Sequence, residues 1–194
     1  VSAEWAQTTS YQNTDNKIID NDNNAIMGQV NWKSGDLSAY VGYDKIDFNF
    51  FRENGYWGRF GRLINMVDVK GPKAGVSYNF SEKFSGALGF QNYDTGLVTG
   101  ADDKVTRWTG NLKFGLCQNY HIGLDGEIVV WDPNGSGASP RERYWTISVM
   151  HPFSEQASVK FLYQIVDYDS DNFALPYGNS YKGGLAAVQA TFRF

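Results

Sequence analysis

The sequence predicts an all-β fold, an antiparallel up-and-down transmembrane β-barrel with about ten strands in this chain. Three observations lead there. Apolar and polar residues alternate with period 2 almost from end to end. Tight and long connections between the alternating segments follow one another in strict turn. Aromatic residues gather near the tight-turn ends. Aromatics reach 16% of the chain and Gly counts 21, a balance that suits strands and turns better than helices.

The elements follow in order. The opening "VSAEWAQTTS" sets Val1, Ala3 and Trp5 opposite Glu4, a weak alternation. "AIMGQVNWK" sets Ile26, Val30 and Trp32 opposite Gln29, Asn31 and Lys33. "LSAYVGYD" sets Leu37, Ala39, Val41 and Tyr43 opposite Ser38, Tyr40 and Asp44. "KAGVSYNF" sets Ala74, Val76, Tyr78 and Phe80 opposite Lys73, Ser77 and Asn79. "FSGALGFQN" sets Phe84, Leu88 and Phe90 opposite Ser85, Ala87 and Gln91. From Thr106 to Leu116, the row Trp108, Leu112 and Phe114 stands opposite Arg107, Asn111 and Lys113. "IGLDGEIVV" sets Ile122, Leu124, Ile128 and Val130 opposite Asp125 and Glu127. "YWTISVM" and "VKFLYQI" repeat the pattern, with Trp145, Ile147, Val159, Phe161 and Tyr163 opposite Thr146, Ser148, Lys160 and Gln164. "AAVQATFRF" closes it, with Val188, Phe192 and Phe194 opposite Gln189, Thr191 and Arg193. Many of these segments approach the ~9–11 residues that a tilted strand needs to cross a bilayer.

Four connections are tight: Ser34-Gly35-Asp36, Ser81-Glu82-Lys83, Gln118-Asn119-Tyr120 and Ser154-Glu155-Gln156. Five are long, over 12–24, 45–69, 93–104, 131–143 and 167–182. Short turns on one side and long loops on the other are the habit of outer-membrane barrels. Alternation alone fits a soluble barrel with an apolar inside equally well. The membrane reading rests on the sorted loops, on the absence of any helix-like segment to cover a sheet face, and on the aromatic set Trp32, Phe80, Phe84, Phe114, Phe153 and Phe194, which fits an interfacial girdle. The apolar parity is therefore assigned to lipid and the polar parity to an enclosed hydrophilic space. No apolar run comes near the ~18 residues of a membrane helix, and a strand-built barrel needs none.

The terminal "QATFRF" resembles the last strand of bacterial outer-membrane proteins, with Val188, Ala190, Phe192 and Phe194 in the alternating positions. That resemblance implies the outer membrane as location, and Phe192 and Phe194 as the signal read by the barrel-assembly machinery. The segment "VKGPKAGVSYNFSEKFSGALGFQNYD", residues 69–94, is similar to porin-like barrels of diderm Bacillota, which carry an N-terminal S-layer-homology anchor. The anchor pattern is not found within 1–194, so the tethering role is not carried over. The chain is expected to be a single barrel domain over 1–194 or the C-terminal portion of a longer one.

The expected site is the lumen. Its predicted lining is Lys33, Asp44, Lys73, Arg107, Lys113, Asp125, Glu127, Lys160 and Arg193. In a narrow barrel these charges would neutralise one another as a polar plug; in a wide one they would tune ion selectivity, bases outnumbering acids. The segment 56–71 breaks the alternation, and its Arg59 and Arg62 are candidates for a loop folded inward as a constriction. The long loops are acidic, and Asp20, Asp22 and Asn24 have a spacing suited to Ca²⁺, yet they lack the Gly and closing Glu of an EF-hand loop, so no metal site is assigned.

Other chemistries are weighed down by the residues. A formal net charge of −4 with no basic stretch argues against nucleic acid. The single Cys117 excludes an intrachain disulfide and a Cys-based zinc site. His121 and His151 fall near tight turns, and Ser148 stands three residues from His151, so the two point to opposite faces of a strand. No catalytic residue and no cofactor are assigned. The expected function is passive diffusion of small polar solutes or ions through a porin-like channel. The alternative is a structural barrel with a filled lumen that serves envelope integrity or surface interaction. Expected partners are outer-membrane lipid or lipopolysaccharide, the assembly machinery, and further copies of the chain in a trimer.

Overall fold

The computed structural model describes residues 2–7, 11–12, 18–19, 24–47, 68–96, 99, 102–116, 120–154, 156–173 and 179–192. They form β1 (Ser2–Gln7), β2 (Tyr11–Gln12), β3 (Ile18–Ile19), β4 (Asn24–Ser34), β5 (Leu37–Ile46), β6 (Val69–Ser81), β7 (Phe84–Thr95), β8 (Asp103–Gly115), β9 (His121–Asp132), β10 (Arg141–Pro152), β11 (Ala157–Asp169) and β12 (Tyr181–Phe192). No helix occurs among the described residues. A two-stranded hairpin, β2–β3, stands apart, and the other ten strands make one sheet in the order β1-β4-β5-β6-β7-β8-β9-β10-β11-β12. The nine strands β4 to β12 are neighbours in chain order, and every ladder is antiparallel. The order ends at β1 and β12, and among the described residues no ladder joins those two strands, so the sheet is not closed.

The local chemistry explains the hairpins. Ser34 pairs with Leu37, which leaves the two-residue loop Gly35-Asp36, and Gly35 takes the left-handed φ of 56° that primed hairpin turns demand. The end of β6 carries a register shift between Asn79 and Ser81, so Ser81 meets Phe84. After β10, Phe153 and Ser154 donate their N–H groups to the carbonyl of Ala157 at 2.9 and 3.2 Å. The strand that the alternation begins at Lys73 in fact starts at Val69.

Each ladder keeps one parity on one side. Leu37 lies opposite Tyr78, Tyr78 opposite Gly86, Gly86 opposite Leu112, Leu112 opposite Leu124, Leu124 opposite Ile147, Ile147 opposite Tyr163 and Tyr163 opposite Ala186. Leu37 is the first residue of β5, whereas Ala186 precedes Phe192, the last of β12, by six positions. The strands are thus progressively staggered along the sheet.

The two faces differ sharply. On the apolar side Val30, Val41, Leu88, Trp108, Trp145, Phe161 and Val188 are exposed, Leu88 and Val188 to 65%. On the polar side Asp44, Arg107, Glu127, Ser148 and Gln164 are buried. A cavity of about 740 Å³ on that side is lined by Lys33 of β4 and by Lys160 of β11 together. Those strands are seven positions apart in the hydrogen-bonded order, about 34 Å on a flat sheet. Burial of large polar side chains on a single layer makes the polar face the more sheltered of the two.

Candidate functional site

The polar face has three zones from the long-loop side to the tight-turn side. In the first, the inward parity stops being polar. Val69, Tyr93, Val105, Val129, Trp131, Tyr144, Val166 and Tyr168 form one buried cluster across β6 to β11. Two carboxylates are sealed in with it. Glu142 is 1% exposed and accepts hydrogen bonds from Trp131 Nε1 at 2.5 Å and from the Tyr144 hydroxyl. Asp103 accepts from Thr99 N at 2.8 Å, Thr99 Oγ1 at 2.6 Å and Asn134 N at 3.0 Å, which ties the connections at this end together. A buried charge survives only with such donors around it.

The second zone is a belt of paired charges. Arg107 holds Glu127 in a two-pronged contact, Nε to Oε1 at 2.7 Å and Nη2 to Oε2 at 3.1 Å, while Nη1 donates to Gln91 Oε1 at 2.6 Å. The planar guanidinium fork suits this geometry, and β7, β8 and β9 set the three residues side by side. Lys73 Nζ lies 2.7 Å from Asp44 Oδ1, an ion pair without hydrogen-bond alignment. Tyr93 donates its hydroxyl to Asp44 Oδ2 at 2.8 Å from β7, reaching over β6. The strand between them carries Gly71 there, and a Cβ on Gly71 would sit 2.1 Å from the Asn92 carbonyl oxygen. Gln164 donates to Thr146 Oγ1 at 2.9 Å.

The third zone, toward the tight turns, holds Lys33, Lys113 and Lys160. Lys33 and Lys113 are exposed, Lys160 half-buried. None of the three has an ion pair within 4.0 Å among the described residues. Asp125 is exposed on the same face and accepts from Asn111 Nδ2 at 2.6 Å. His121 faces the same way at the start of β9.

Across the sheet, the apolar face carries an aromatic row at the tight-turn end. Phe84 stacks on Phe80 and on Phe114 at 4.7 Å each, and Tyr78 meets Phe80 edge-on at 5.0 Å. His151 lies 4.4 Å from Tyr120 and 4.9 Å from Phe153 in the same row. Trp32 and Phe192 are exposed on this face at 55% and 65%.

Eight of the nine predicted lining residues thus share one face of the sheet, Asp44, Lys73, Arg107 and Glu127 sheltered, Lys160 half-buried, Lys33, Lys113 and Asp125 exposed. Arg193, the constriction candidates Arg59 and Arg62, and Phe194 lie outside the described residues, as do Asp20 and Asp22. Ser148 is buried on the polar face while His151 stacks on the apolar one, so the two do not meet. Among the described residues no group of three His, Cys, Asp or Glu converges. The sequence reasoning missed the buried cap and the neutral partners Tyr93, Gln91 and Gln164. The signal for the cap was the run "IVVW" at 128–131, where both parities are apolar at once.

No family model matches the chain, and a search of curated proteins finds no match either.

Proposed function

We propose that this chain forms, or forms part of, a bacterial outer-membrane β-barrel that acts as a porin-like channel for passive diffusion of small polar solutes or ions. The observation that carries this reading is the inverted sheet: large apolar side chains exposed on one face, paired charges sheltered on the other. In water this arrangement forgoes about 1.5–3 kcal/mol for each large apolar side chain left uncovered. A contiguous apolar face of that kind marks a membrane or partner surface, and lipid is the solvent that wets every strand of a sheet at once. Strands of 10 to 13 residues from β4 to β12 match the span of a bilayer. The progressive stagger is what a tilted, closing sheet requires. The row of Phe80, Phe84 and Phe114 fits an interfacial girdle, and Phe192 fits the assembly signal.

The mechanism is passive. Solutes would enter the curled interior, lose little hydration among the polar side chains, and be sorted by fixed charge. One observation favours a second reading, a structural barrel with a filled lumen: the buried aromatic and valine cap that occupies the loop half of the polar face. Conductance of the detergent-extracted full protein in planar bilayers separates the two. Discrete open steps support the channel; a silent but β-folded protein sinks it and leaves the structural barrel. Cross-linking in native membranes tests the expected trimer.

A further inference from the structure

We infer that the turn-side half of the polar face is an anion-selecting zone, built by Lys33, Lys113 and Lys160, with small inorganic and organic anions as the favoured solutes. This deepens the channel reading and rests on it. The argument is a comparison of the three zones. Arg107 and Lys73, the two most sheltered cations of the face, are each neutralised by a carboxylate within 2.7 Å. They present no net charge to a passing ion. The sealed acids Asp103 and Glu142 are held by Thr99, Asn134, Trp131 and Tyr144 and are cut off from solvent. Both stand at the long-loop end, Asp103 first in β8 and Glu142 second in β10, away from the turn-side zone. In the turn-side zone the ammonium groups of Lys33, Lys113 and Lys160, none with an ion pair among the described residues, stand beside the carboxylate Asp125, itself occupied by Asn111, and Lys83 of the β6–β7 turn reaches the same side next to Gly115.

Position sharpens the point. Lys33 and Lys160 line one cavity although they come from β4 and β11. Lys113 stands on the same face in β8, between them in strand order. Cations spread around a curled wall act together on an ion in the middle, because the low-dielectric wall focuses their field. The same field repels cations, so the zone sorts by sign and leaves size to the rest of the passage.

The test is the reversal potential of the full protein in planar bilayers under a KCl gradient, measured for the wild type and for Lys33→Glu/Lys113→Glu/Lys160→Glu. The wild type is expected to favour Cl⁻, and the triple variant to shift the reversal potential through zero to a K⁺ preference. The preference should fade between 0.1 M and 1 M salt, as the screening length falls from about 10 Å to about 3 Å. Lys70→Glu, a charge change on the opposite face, should leave the sign as it is. Circular dichroism shows whether each variant retains its β structure. If the triple variant fails to fold, neutral Gln replacements serve, with an expected shift toward zero. A K⁺ preference in the wild type, or a reversal potential that ignores the three lysines, overturns the inference while the channel stands. Absence of conductance in folded protein overturns the channel and the inference together.

Discussion

The orientation of the sheet can be tested at one residue. Leu88 is central in the apolar face, 65% exposed, flanked by Val76 and Gly110 on the neighbouring strands. It stands four residues beyond Phe84, which belongs to the stacked aromatic row. At about 3.3 Å per residue and a tilt near 40°, that places it about 10 Å above the row. The apolar band of an outer-membrane barrel is about 25 Å tall, so Leu88 lies near its middle. Leu88→Arg should then cost about 2–4 kcal/mol, the penalty of a midplane cation on the lipid face. If this face met water, a substitution at so open a site would change stability by no more than about 0.5 kcal/mol. The assay is reversible urea unfolding from phosphatidylcholine vesicles, with Ala87→Arg as companion. Ala87 points to the polar face beside Ser77 and Asn111, where a cation finds water and acids, and its cost should be clearly smaller. Equal costs at 87 and 88, or a neutral Leu88→Arg, would refute the assignment of faces.

Three further outcomes follow from the same geometry. In a double-mutant cycle, Arg107→Met and Glu127→Gln should each cost about 3–5 kcal/mol alone and far less together, because each single change strands a sheltered charge; a coupling of 1 kcal/mol or less would instead mean a water-filled belt. Gly71→Ala should destabilise by about 1–3 kcal/mol in the same unfolding assay, since its Cβ would sit 2.1 Å from the Asn92 carbonyl oxygen and 3.0 Å from both the Cα and the ring of Tyr93. Trp131→Phe removes the donor to Glu142 Oε1 and should cost about 1–3 kcal/mol, unless a second donor takes its place, in which case the measured change will be near zero.

Strand content and face assignment were legible because period 2 is a direct imprint of the pleat. From Trp108 to Phe114 each residue's side followed from its parity alone, and the register keeps that parity across seven ladders. The tight turns were legible for a similar reason: Ser34-Gly35-Asp36 carries the one residue that takes a left-handed φ without cost. Pairing partners within the polar face were not legible. Arg107 meets Glu127 because β8 and β9 align Thr109 with Glu127 and Arg107 with Val129, a diagonal that depends on register fixed far away. Tyr93 reaches Asp44 only because Gly71 intervenes, and three strands must be in place before that glycine has a meaning. The cap was missed because Val105, Val129 and Val166 sit on the parity assigned to water. Alternation tells which side a residue faces; it does not tell what fills that side.

The exposed apolar face and the open edges constrain each other. β12 has 12 residues and, among the described residues, a neighbour on one side only. On its free edge about half of its backbone N–H and C=O groups, roughly six of each, lack a ladder partner. In water those groups are solvated at small cost. In a bilayer each unsatisfied group costs several kcal/mol, so the edge as a whole would cost tens of kcal/mol, more than the 5–15 kcal/mol that holds a typical domain folded. On the proposed lipid-facing reading, the sheet therefore cannot keep its edges. Either β1 and β12 pair with one another or further strands stand between them. The stagger accumulated from Leu37 to Ala186 means that any pairing at this edge must be offset along the strands. Strand number then decides how much of the interior the aromatic cap can fill. The same few valines and tyrosines that would stopper a narrow barrel would form only one side of the wall in a wide one.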